Sequence, residues 1–113
     1  MSFITTHVLD NAAGLPAGGI AVELRGVGPD GEAGPVIASG VTDQDGRIGD
    51  LGPEELETGT YRLRFAVGDY FASRGQETFF PEVTVSFAAE ADAGHYHVPL
   101  LLSPFAYSTY RGS

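Results

Sequence analysis

Residues Tyr61-Arg62-Leu63-Arg64-Phe65-Ala66-Val67 set large apolar side chains against small or charged ones at every second position. That alternation has the two-residue period of a strand, not the 3.6-residue period of a helix. Tyr61, Leu63, Phe65 and Val67 are expected to face a core, with Arg62, Arg64 and Ala66 facing out. The pattern recurs in Ile20, Val22 and Leu24 against Ala21, Glu23 and Arg25, and in Val83, Val85 and Phe87 against Glu82, Thr84 and Ser86. Weaker strands are expected at Ile4–Asp10, Val36–Thr42, Arg47–Leu51, His95–Leu102 and Ala106–Gly112. Turn residues separate them at Gly14-Leu-Pro16, Gly28-Pro-Asp-Gly31, Asp45-Gly46, Thr58-Gly59 and Ser103-Pro104. Eight short strands with turns at such spacing predict an all-β, antiparallel two-sheet sandwich. Gly68 to Gly75 breaks the rhythm. Asp69 near a start, Arg74 near an end and Gly75 just after are helix-end signals, and they predict one short helix there.

The composition agrees with many turns. Gly 16 and Pro 7 make up roughly a fifth of the 113 residues, against a usual share of about 12%. With 42% hydrophobic residues there is material for one core, and residues 1–113 are expected to form a single domain. Without cysteine, no disulfide can staple the fold. The net charge is −9, and all six cations are arginine, so a lysine Schiff base and a P-loop are excluded. An acidic chain repels phosphate, which argues against nucleic acid and anionic membrane as partners. The longest apolar run, Val98–Leu102, is far below the roughly 18 residues of a membrane span. The opening Met-Ser-Phe-Ile-Thr-Thr-His7 lacks the basic and apolar segments of a signal peptide. A cytoplasmic location is therefore expected.

Two motifs fail on inspection. Gly26-Val-Gly28-Pro-Asp-Gly31 matches a dinucleotide fingerprint, but Gly34-Pro35 forbids the helix whose N-terminus would hold phosphate, so a hairpin turn is expected. Asp43-Gln-Asp45-Gly46 resembles part of a calcium loop, yet Val41 stands at its first ligand position and Gly52 at its twelfth. It too reads as a turn.

Three histidines remain as groups that titrate near neutrality. His7 is in phase with Thr5 and Leu9, and His97 with His95, Pro99 and Leu101. If Ile4, Val8, Val98 and Leu100 fill the core, His7 and His97 share an outward face that also carries Leu9 and Leu101. A half-apolar outward face with histidines suggests a subunit interface, although each histidine taken singly reads more readily as a solvated strand residue.

On these and further residues the chain resembles the hydroxyisourate-hydrolase branch of the transthyretin-related family. The resemblance runs end to end: Thr6-His7-Val-Leu-Asp10 with Gly14-Leu-Pro-Ala17, Thr42-Asp-Gln-Asp-Gly-Arg47, Phe79-Phe-Pro-Glu-Val83, and His97-Val-Pro-Leu-Leu-Leu-Ser-Pro104. It continues through Tyr107-Ser-Thr109 to Tyr110-Arg-Gly-Ser113, the tetrapeptide that marks the enzymes of the family. The resemblance implies hydrolysis of 5-hydroxyisourate at its N1–C6 cyclic amide, to 2-oxo-4-hydroxy-4-carboxy-5-ureidoimidazoline, in urate breakdown. It implies a catalytic set of His7, His97 and Ser113, and substrate binding by His7, Arg47, Tyr110 and Arg111. It also implies a homotetramer, a dimer of dimers with sites at the dimer–dimer interface, and neither metal nor cofactor. Histidine suits the base that water attack on an amide needs, and the arginines suit a developing oxyanion. Either histidine could be the base, and the other histidine, Tyr110 or Ser113 could protonate the leaving nitrogen. A transthyretin-type carrier without turnover is the alternative. His95 is expected to be solvated and dispensable. Gly112 is expected to keep space for substrate or a facing subunit, so a tag after Ser113 is expected to obstruct the site.

Overall fold

A computed structural model describes residues 2–113. Nine strands, one α-helix and a 3-10 turn form two sheets packed face to face: β1 (Ile4–Asp10), β2 (Leu15–Pro16), β3 (Ala21–Val27), β4 (Ala33–Val41), β5 (Arg47–Ile48), β6 (Gly59–Phe65), α1 (Val67–Ser73), β7 (Val83–Ala89), β8 (Tyr96–Ser103) and β9 (Ala106–Thr109). One sheet runs β2-β1-β8-β9 with β5 also on β1; the other runs β4-β3-β6-β7. Alternation dictates the core, as expected: Tyr61, Leu63 and Phe65 pack against Val22, Leu24, Ile4, Val8, Val98 and Leu100 between the sheets. Of the outward arginines of β6, Arg64 is tied to acids, with Nε 2.9 Å from Glu82 and Nη1 3.8 Å from Glu23, and Arg62 Nε donates to Ser86 Oγ at 2.9 Å.

The sandwich stands as the sequence predicts, with four corrections. It has nine strands, because Leu15–Pro16 pairs for two residues with Leu9–Asp10. It is not wholly antiparallel, because β1 and β8 run parallel from Ile4↔Tyr96 to Asp10↔Leu102. Parallel neighbours need a long crossover, and nearly the whole chain lies between these two. The expected strand Arg47–Leu51 stops at Ile48, because Leu51 turns inward and is fully buried. Val67 likewise opens the helix instead of closing β6. Both rejected motifs are turns: Gly28 N–H donates to Glu32 O across the β3–β4 hairpin, and Gly46 N–H donates to Asp43 O.

Helix α1 buries Val67, Tyr70 and Phe71, spaced at i, i+3 and i+4 on one face. It ends as glycine at a C′ position allows: Gly75 has φ +67°, its N–H donates to Ala72 O, and Gln76 N–H donates to Phe71 O. No helix among the described residues is long and apolar enough to cross a membrane.

Candidate active site

The parallel pairing of β1 with β8 assembles the site. Its register sets Thr5 opposite His97, His7 opposite Pro99 and Leu9 opposite Leu101. Because all these positions share one phase, His7 and His97 are diagonal neighbours on the outward face. On the other edge of β1, His7 pairs with Arg47 of β5. Thr5, Arg47, Gly49, His95, His97 and Ser113 line a cavity of ≈ 270 Å³.

The Asp43–Gly46 turn positions two of these groups. Asp43 Oδ1 accepts the N–H of Asp45 at 2.8 Å and of Arg47 at 3.0 Å. The turn so fixed offers the Asp45 carbonyl to His7 Nε2 at 2.8 Å. A carbonyl oxygen only accepts, so this nitrogen carries a proton.

His97 is held from both sides. Thr5 Oγ1 lies 2.8 Å from its Nδ1, and Gly112 forms an antiparallel bridge with it, the Gly112 N–H donating to the His97 carbonyl at 2.8 Å. Burial, first, and then the charges of Arg47, His7 and His95 hold the His97 imidazolium below its usual range. At neutral pH this ring is therefore the uncharged, basic form.

The tail divides around β8. Gly112 and Ser113 lie on the histidine side, whereas Tyr110 and Arg111 border another cavity of ≈ 530 Å³ with Val85, Phe87 and Tyr96. There the Arg111 guanidinium sits 4.4 Å over the Tyr96 ring. Within one chain, then, Arg47, His97 and Ser113 line one cavity, His7 stands beside Arg47 outside that lining, and Tyr110 and Arg111 do not join them.

Two residues go beyond the sequence reading. His95 is not solvated: it is half-buried, with Nε2 3.1 Å from Thr5 Oγ1 and Nδ1 3.2 Å from the Ser2 carbonyl. Thr5, only 8% exposed, bridges both rings. Their phase with His97 was the available signal, but a threonine in a strand is too ordinary to stand out. Among the described residues no cluster of three or more His, Asp or Glu is placed to hold a metal ion.

The HIUase/Transthyretin family model matches residues 4–112. The chain is 45% identical over 117 residues to the 5-hydroxyisourate hydrolase of Caulobacter vibrioides, covering all of both chains. Among solved structures it is similar to transthyretin from Sparus aurata (TM-score 0.91, 34% identity, 99% of this chain and 97% of that one). It is also similar to Klebsiella pneumoniae 5-hydroxyisourate hydrolase (TM-score 0.87, 36% identity, 99% of this chain and 100% of that one).

Proposed function

Since this chain belongs to the HIUase/Transthyretin family, we propose that it hydrolyses 5-hydroxyisourate, opening the N1–C6 cyclic amide to give 2-oxo-4-hydroxy-4-carboxy-5-ureidoimidazoline. The observation that carries the reading is the grouping of His97, Arg47 and Ser113 around one small cavity, with His7 paired to Arg47 at its side. Water adds its oxygen to C6 as a histidine lone pair takes its proton. The N1–C6 bond then breaks, N1 takes a proton, and the product is a carboxylate. Arg47 is placed to stabilise the oxyanion through planar paired donors. A Ser113 hydroxyl or the second histidine supplies the proton to N1.

His7, His97 and Ser113 are the proposed catalytic groups, and His7, Arg47, Tyr110 and Arg111 the proposed substrate contacts. Because Tyr110 and Arg111 do not line the cavity of their own chain, their contact is assigned to a homotetramer in which facing subunits complete each site. The apolar pair Leu9 and Leu101 beside the histidines supports an interface on this face. A cytoplasmic location goes with the same proposal, and cell fractionation tests it.

The test is spectrophotometric decay of freshly generated 5-hydroxyisourate with and without purified protein. Acceleration over buffer is expected, unchanged by a chelator. A protein that binds the compound without turning it over would be a carrier of transthyretin type. His7→Ala, Arg47→Ala and His97→Ala should each lower kcat/KM by about 10²–10⁴-fold while the fold persists.

A further inference from the structure

A hydrogen-bonded chain runs through the sheet behind His97. The Ser2 carbonyl lies 3.2 Å from His95 Nδ1, His95 Nε2 lies 3.1 Å from Thr5 Oγ1, and Thr5 Oγ1 lies 2.8 Å from His97 Nδ1. Donor counting fixes its direction. The carbonyl can only accept, so His95 Nδ1 carries the proton, and in the neutral ring Nε2 is then a lone pair. That lone pair must accept from the Thr5 hydroxyl. A hydroxyl has one proton, and once it is given to His95, Thr5 Oγ1 can only accept from His97. His97 Nδ1 is therefore protonated, and its Nε2 is left with the lone pair.

We propose that Thr5 and His95 are positioning residues, which hold His97 as the Nδ1–H tautomer so that Nε2 is the proton acceptor of the hydrolytic step; this deepens the hydrolase reading and rests on it. The arrangement follows the logic of a base oriented by a third group. Here the orienting group is a neutral hydroxyl, itself oriented by a second imidazole. After Nε2 takes the proton from water, Nδ1–H still donates to Thr5, so no rearrangement is needed during the step.

The experiment pairs kinetics with nitrogen-15 long-range NMR of the histidine rings in the full-length protein. Wild type should show His97 protonated on Nδ1 and bare on Nε2, a readout that needs no turnover. Thr5→Val, nearly isosteric, should lower kcat by at least about 10²-fold with KM little changed. It should also give a mixed tautomer at His97. Thr5→Ser should restore both tautomer and rate. His95→Leu should lower kcat and give a mixed tautomer at His97. A wild-type His97 protonated on Nε2 at neutral pH would overturn the proposal. So would a Thr5→Val protein with wild-type kcat and pH profile. If wild type shows the Nδ1–H tautomer yet does not accelerate 5-hydroxyisourate decay, the hydrolase reading fails and the tautomer assignment stands.

Discussion

Gly112 holds a position where space, not backbone conformation, excludes a side chain. A Cβ there would lie 2.5 Å from His97 Cδ2 and 3.2 Å from Pro99 Cγ. The crowding foreseen against substrate or a facing subunit falls first on the His97 ring itself. Gly112→Ala should therefore tilt His97, lowering kcat/KM by more than about 10-fold with the unfolding transition nearly unmoved; wild-type kinetics would show that the ring position is not critical. The charge of His97 gives a second expectation. Its folded pKa lies below the ordinary 6.5, so the basic form persists as pH falls through 6.5, and kcat/KM should decline only at lower pH. In Arg47→Gln the limb of the residual activity should move up, because a cation that opposes the imidazolium is gone. The same shift makes the unfolded chain the stronger proton binder, so stability falls as pH drops from about 6.5 through the folded pKa. An acid limb at or above 6.5 in wild type would contradict this.

Helix α1 is tied to the sheet that carries the site through one buried polar contact. The Tyr70 hydroxyl donates to Asp10 Oδ2 at 2.8 Å, while Asp10 Oδ1 accepts the N–H groups of Ala12 and Ala13. Tyr70→Phe removes a hydrogen bond to a charged group and should cost about 1.5–3 kcal/mol in denaturant unfolding. Its kcat/KM should stay near wild type, since Tyr70 packs in the core and the histidines face outward; a comparable loss of activity would mean that the helix shapes the site. Burial, and then the hydrogen bond and charge of Asp10, push the Tyr70 pKa up to about 12. A raised pKa contributes stability below pH 10 that is lost as pH rises from 10 toward 12, and Tyr70→Phe should flatten that decline. The helix was legible because Asp69 and Gly75 are local signals. The limits of β5 were not. One edge of β1 is shared, with Leu9 and Asp10 taken by β2 and Thr6 and His7 by β5, and beyond Ile48 the chain leaves that edge to bury Leu51.

On the scale of the whole molecule, the exposed Phe79, Phe105 and Tyr107 and the unpaired outer edges of β7 and β9 are surfaces that a lone subunit leaves to water. Sedimentation equilibrium should give about four times the 11.9 kDa chain. Leu101→Glu places a charge on the outward face beside Leu9 and His7. It should yield a smaller species with reduced turnover if that face joins two dimers. A tetramer of unchanged mass and activity would move the interface elsewhere.

By itself the sequence determined the two-sheet sandwich, its core positions, the short helix and the common outward face of His7 and His97. Each of these rests on local information, namely a two-residue period, a turn residue or a capping signal. Tertiary structure alone decided the parallel β1–β8 register, because nothing within either strand states which residue of a partner about ninety positions away will stand opposite. From that register come the contacts no local pattern carries. Thr5 reaches both His95 and His97, Gly112 lies against the His97 ring, and Arg111 turns away to Tyr96. A strand's period says which way a side chain points; only long-range pairing says what it meets there.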